Sequence, residues 1–190
     1  MTKQNFPSLD ELISEINRKI DQYPESLSKN QHGQAADDNR LAHKRRGNQF
    51  IRFSLNQAQF ALPLEYALEI MPKPDITPLP NLPGWIPGIC NVRGEIVSVV
   101  ALTRLLKIKQ RHNLLGSQLI VFRADRLKTG LLVDKIGGIF FDGDPGHKVE
   151  EKALSDATLA QFAKSTFVSS QYEIHLLDVA KLLPELVSLQ

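Results

Sequence analysis

Cysteine is almost missing from this 190-residue chain; Cys90 is the single one. One thiol cannot close an internal disulfide, so nothing in the composition asks for an oxidising compartment. Long apolar runs are missing as well. None approaches the ~20 residues of a membrane-spanning helix, and the opening MTKQNFPSLDELISEI has no apolar stretch of the secretory-signal kind. Charge of one sign is scarce: 23 basic and 21 acidic side chains leave +2. That is too little for a global field drawing the chain to nucleic acid or a membrane. The expectation is a soluble, cytoplasmic protein with no direct membrane insertion.

The arrangements that carry catalysis are missing too. His32, His43, His112, His147 and His175 show no HxH or HxxxH spacing, so no metal site is expected. GICNVRG has no Lys-Ser end and opens no long helix, which rules against a phosphate loop. Asp142 and Asp144 lack the third acid and the terminal glutamate of a calcium loop. Glu150 and Glu151 are adjacent and point different ways. Cys90, with His175 or His147 as base, would be the one nucleophile pair to consider. It stands in PGICNV beside Ile89, and free cysteine is among the most buried residue types. A packed thiol is expected, with no enzyme activity and no cofactor.

What is present divides near residue 48. Residues 1–48 read as an N-terminal extension. Leu9, Leu12, Ile13, Ile16, Ile20 and Tyr23 form one apolar stripe, and Ser8 with Glu11 makes a capping box, so a short amphipathic helix is expected at 8–23. Residues 24–48 are polar and hold Pro24, Gly33 and Gly47. They cannot bury enough apolar surface to offset their ordering entropy, and read as a flexible linker ending in the basic HKRR at 43–46.

From residue 49 to 190 the texture is that of a β domain. QFIRFSL alternates with period 2, and FALPL returns after NQAQ as the second arm of a hairpin. LEYALEIM reads as a short helix stopped by Pro72 and Pro74. DITPLPNLPGWIPG (75–88), with Pro78, Pro80, Pro83 and Pro87, reads as an extended connection. EIVSVVAL, SQLIVFRA, KTGLLVDKIGGIFF (128–141) and YEIHLLDV are β-rich runs. RADRLKTG is a hairpin link, EEKALSDATLAQFAK holds a helical turn, and VAKLLPEL is a closing helix interrupted by Pro184. Short strands with turn signals every ten residues or so argue for a barrel or sandwich rather than βαβ units.

One charge stands out. In CNVRGEIVSVVALTRLL, Arg93 precedes a run that is apolar on both faces apart from Ser98, so the strand is expected to be largely buried. Gly94 and Asn91 are turn-prone. An arginine held at the end of a rigid strand is a good anchor for a partner, being planar, always charged and multidentate. It could equally satisfy carbonyls or a carboxylate of its own fold. A nucleic-acid-binding β-barrel is the alternative, using HKRR and the barrel face; it needs exposed aromatics beside basic side chains, and the one adjacent aromatic pair, Phe140 and Phe141, has no lysine or arginine cluster flanking it.

The stretch ITPLPNLPGWIPGICNVRGEIVSVVALTRLL resembles the most distinctive segment of the CheW-like domain family, the adaptor domains of bacterial chemosensory systems. FIRFSLNQAQFALPL resembles the opening hairpin of that family, ALEIM its valine-x-glutamate-isoleucine segment, TGLLVDKIGGI its glycine-leucine-x-valine-aspartate segment, and IHLLDVAKLL its closing stretch. The five segments come in the family's order over residues 49–188. Departures are Ala101 for a usual aspartate, Ser165 for a frequent glycine, and SSQYE for a glycine-bearing turn; the last two suggest an altered second barrel surface. The resemblance implies two small five-stranded β-barrels sharing a core, without catalysis. It implies coupling of a methyl-accepting chemoreceptor's cytoplasmic tip to the regulatory domain of a CheA-type histidine kinase, in chemotaxis or another motility pathway. It also implies Arg93 as the leading partner contact, Glu69 as the second, and Asn91 and Gly94 as the geometry that aims the arginine.

Overall fold

A computed structural model describes residues 49–108, 117–142, 148–150, 157–168 and 173–187, with the isolated positions Glu11 and Ser14. Those two are helical and exposed; the rest of the expected helix at 8–23, the linker and HKRR lie outside the described residues.

The period-2 pattern of QFIRFSL becomes β1 (Gln49–Leu55), paired antiparallel with β2 (Ala58–Pro63) in a hairpin as expected. Its loop is the two-residue Asn56-Gln57 rather than the longer NQAQ, since Ala58 and Gln59 already pair with Leu55 and Ser54. A 3-10 turn (Leu64–Tyr66) leads to β3 (Ala67–Pro72). Then come β4 (Gly88–Val92), β5 (Glu95–Ala101), α1 (Leu102–Leu105), β6 (Gln118–Ala124), β7 (Leu127–Val133), β8 (Lys135–Phe141) and β9 (Lys148–Glu150). The chain goes on through α2 (Ala157–Phe162), β10 (Ala163–Val168), β11 (Glu173–Leu177) and α3 (Val179–Val187). The strands form two mixed sheets, in the orders β8-β1-β2-β11-β10-β9 and β3-β6-β7-β5-β4. The parallel pairs are β11 with β2 and β5 with β7.

Each sheet is buried on both faces, and alternation decides which core a side chain joins. In β6, Ile120 and Phe122 enter a large central core with Ile51, Phe53, Leu55, Phe60 and Leu62 from the other sheet. Leu119 and Val121 point the opposite way, into a smaller core with Cys90, Val92, Val97, Val99 and Leu132. The first sheet does the same. Phe50, Ala61, Phe140, Phe167, Ile174 and Leu176 fill a third core behind it. Two lobes sharing a central core are the architecture that the resemblance implied; the first sheet carries the three-residue β9 at its edge.

The second lobe is laced shut by its proline-rich connection. β3 and β4 are opposite edges of their sheet, yet Thr77, just past β3, exchanges two backbone hydrogen bonds with Ile89 of β4 at 2.8 and 2.9 Å. Gly88 makes room for this crossing.

Several expectations are corrected. LEYALEIM is a 3-10 turn followed by a strand, because Ala67 and Ile70 pair with Phe122 and Ile120 of β6. Pro72 is tolerated there since β3 is an edge strand. The run 128–141 is two strands in different sheets, parted at Asp134. α3 continues past Pro184: the proline is exposed, while Val179, Leu182 and Leu186 bury one face and hold the helix. Ile96, expected to be buried, is 73% exposed because β5 starts beyond the end of the central core. Ser165 is buried at a bulge of β10 in the first sheet, not on the surface of the second barrel. Residues 169–172 of the SSQYE segment lie outside the described residues.

Candidate functional site

β4 and β5 form a hairpin whose last ladder pair is Val92 with Glu95. The loop is therefore Arg93-Gly94, with φ of 51° and 88°. Two left-handed residues make the type I′ turn, whose twist matches that of the flanking strands. Asn91, expected to form the turn, lies within β4 opposite Ile96 instead. Its side chain supports the turn from there: Oδ1 accepts a hydrogen bond from the Gly94 N–H at 2.8 Å.

An arginine in the first turn position is costly. The left-handed conformation disfavours a residue with a Cβ by about 1–2 kcal/mol, and this position usually holds Asn, Asp or Gly. Strain held at an exposed position points from structure to function. The side chain of Arg93 is 81% exposed, and its Nε lies 3.1 and 3.0 Å from the two carboxylate oxygens of Glu69.

Glu69 comes from the far edge of the sheet. Its ladder partner is Val121, which faces the second-lobe core. Leu68 beside it is skipped by the β3–β6 register and is exposed. Glu69 thus sits at the mouth of the lobe, with only a quarter of its side chain exposed, and Arg93 closes over it from the hairpin tip. Asn91, Arg93 and Gly94 of one segment and Glu69 of another form one unit: Asn91 shapes the turn, Gly94 permits it, Arg93 projects from it and Glu69 tethers the projection. The pair engages the guanidinium through Nε, and the outer edge of the group faces solvent. An ion pair this exposed contributes only about 0–1 kcal/mol, so a competing carboxylate can displace Glu69 at little cost.

Two neighbours were not legible in the sequence. Lys128 of β7 pairs with Glu95, just past the turn. The hydrogen bond and then the charge of that lysine hold the Glu95 carboxyl below the usual carboxylate range. Ile96 follows, with its apolar side chain in water. The ion pair joins β7 to the start of β5, while Glu95 and Ile96 follow the turn directly in the chain.

Cys90 lies on β4 with its thiol in the second-lobe core, and burial pushes its pKa up, away from the reactive thiolate. His175 is on β11 in the other lobe, its ring tilted against that of Phe60 at 5.4 Å, with Nδ1 3.3 Å from the Thr166 hydroxyl. No nucleophile–base pair forms between them. His147 lies outside the described residues. Among the described residues no cluster of histidine, cysteine, aspartate and glutamate could hold a metal ion, and no helix is long and apolar enough to cross a membrane. Phe140, needed by the nucleic-acid alternative as a stacking surface, is buried between Phe50 and Phe167 at 5.5 and 5.2 Å.

Comparison with known proteins agrees with this anatomy. The chain matches the family model of the CheW-like domain over residues 49–187. Chemotaxis protein CheW of Thermotoga maritima is 30% identical over 89 residues, 47% of this chain and 58% of that protein. Protein PilI of Pseudomonas aeruginosa is 30% identical over 95 residues, 47% of this chain and 50% of that protein. Each alignment spans less than two thirds of the relative's length. The crystal structure of scaffolding protein TtCheW from Thermoanaerobacter tengcongensis superposes with a TM-score of 0.59 at 22% identity, covering 70% of this chain and 90% of that one. At that identity the likeness is one of fold.

Proposed function

The chain belongs to the CheW-like domain family, and from that premise we propose that it is a non-catalytic cytoplasmic adaptor of chemotaxis-type signalling. It couples the cytoplasmic tip of a chemoreceptor to the regulatory domain of a CheA-type histidine kinase. Residues 49–190 form the adaptor domain and residues 1–48 an extension to it. The observation that carries the reading is Arg93: a cation in an unfavourable backbone conformation, on the tip of a rigid hairpin, tethered weakly and open to solvent.

The hairpin supplies rigidity and the arginine supplies chemistry. A partner carboxylate or carbonyl can take the outer edge of the guanidinium while Glu69 keeps Nε, or can replace Glu69. An adaptor changes kinase output only by binding its alternative states unequally. An arginine carried on a rigid hairpin suits this task, since a shift of about an ångström in the partner breaks the geometry of its hydrogen bonds.

The test is titration of the purified protein against the regulatory domain of the cognate kinase, with Arg93→Ala and Glu69→Ala beside it. Arg93→Ala is expected to weaken binding about tenfold or more and to leave the melting temperature within a few degrees. Unchanged binding by the folded variant removes Arg93 from the interface. No binding by the parent chain overturns the adaptor reading itself.

A further inference from the structure

The chain returns from the second lobe to the first through a single residue. β7 ends at Val133 in the second sheet, and β8 begins at Lys135 in the first. Asp134 between them uses all three of its polar groups, on the β1–β2 hairpin and on the entry to β6. Its N–H donates to the carbonyl of Ser54, at the end of β1, at 3.1 Å. Its carboxylate Oδ2 accepts from the N–H of Asn56, in the β1–β2 turn, at 2.5 Å. Its carbonyl accepts from the Ser117 hydroxyl, at the entry to β6.

The neighbours extend this node. Gln118, a buried side chain of β6, accepts through Oε1 from the Ile136 N–H of β8 at 2.5 Å, a direct bond between lobes. The Ser54 hydroxyl donates to the carbonyl of Lys135. The Ser117 carbonyl accepts from the Lys73 N–H at 2.9 Å, just past the end of β3, the strand that carries Glu69. The β1–β2 turn is itself bent for its part, since Asn56 has φ of 59°. A hydrogen-bonded chain thus runs from the hairpin tip of the first lobe, through Asp134, to the edge strand of the second.

The central core also joins the lobes through apolar packing, which is nondirectional. Hydrogen bonds at the crossing are directional. We propose that Asp134 is a positioning residue that locks the angle between the two lobes, and through Ser117 and Lys73 sets where β3 presents Glu69. An adaptor that meets two partners depends on that angle. The lock concerns the free molecule, so its test is independent of the adaptor reading.

The experiment is NMR on the full chain without partner, comparing the parent, Asp134→Ala and Asp134→Asn. Residual dipolar couplings report lobe orientation, and amide exchange reports the node. For the parent, couplings from both lobes fit one alignment frame with the interlobe angle of the structure. For Asp134→Ala the two lobes require separate frames or a changed angle. Exchange at Asn56 then quickens about ten- to hundredfold, as expected for the loss of a hydrogen bond to a charged group, while Leu131 in the central core is unaffected. Asp134→Asn keeps an acceptor for Asn56 and restores the parent angle. If Asp134→Ala does not fold, Ser117→Ala and Gln118→Met carry the same readout. Couplings that fit the parent frame in the folded variants overturn the proposal, even where exchange at Asn56 alone has changed.

Discussion

Gly88→Ala tests whether the proline-rich connection closes the second lobe. A Cβ at residue 88 would stand 2.1 Å from the carbonyl oxygen of Thr77, 2.7 Å from its carbon and 2.9 Å from the Cα of Pro78. All three are backbone atoms, so no side chain can swing aside. The backbone φ at Gly88 is +148°, a further penalty for any residue with a side chain. Relief requires moving the 77–78 segment, and that breaks the paired Thr77–Ile89 hydrogen bonds. Two such bonds contribute about 0.5–1.5 kcal/mol each, and the backbone strain adds about 1–3 kcal/mol. The sum is about 2–6 kcal/mol, a large part of the roughly 5–15 kcal/mol that holds a domain together. For a chain of this size it corresponds to a fall in melting temperature on the order of 10 °C. The assay is thermal and urea unfolding of Gly88→Ala beside Gly84→Ala, where an added methyl meets nothing within 4 Å. The control is expected to stay within about 1 kcal/mol of the parent. A Gly88→Ala protein as stable as that control would refute the closure.

Three other outcomes are expected. Burial holds the His175 pKa below its ordinary value of 6.5, so the unfolded chain binds the proton more readily. Stability is therefore full above pH 6.5 and falls as the pH drops through that value toward the folded-state pKa; melting curves between pH 7.5 and 5 should show a smaller fall for His175→Leu than for the parent. Cys90 should react with an aromatic disulfide reagent no faster than the native state opens, and rapidly in denaturant; fast labelling of the native protein would contradict its burial. A double-mutant cycle on Arg93 and Glu69 should give a coupling under about 1 kcal/mol in stability, because the arginine is mostly in water, and a larger value would mean the pair serves the fold.

Much of the fold could be read from local pattern. The β1–β2 hairpin follows from the alternation in QFIRFSL, and the packed state of Cys90 from its neighbours. What could not be read depends on pairing between distant segments. Leu64, Ala67, Leu68 and Met71 have helical spacing, and only β6, about fifty residues on, turns ALEIM into a strand. The doubly apolar run after Arg93 reads correctly as a strand between two cores. Where those cores end, leaving Ile96 in water, is a property of the assembled sheets. At the site, each of Arg93, Glu69, Asn91 and Gly94 was legible by type and motif. The contact between Arg93 and Glu69 was not, because it joins opposite edges of a sheet whose curvature no short segment encodes.

The strand order has a consequence for synthesis. β2 borders β11 directly, with Phe60 opposite His175. While the ribosome makes the chain, the β1–β2 hairpin emerges well before its neighbour β11. The whole second lobe, from β3 to β7, is made in between and can close on itself. Until then Phe60 and Leu62 lack part of their cover, on a strand edge open to other chains. The sheet that opens with this hairpin thus closes only after β11 has been made, and the open edge of β2 is exposed to aggregation until then.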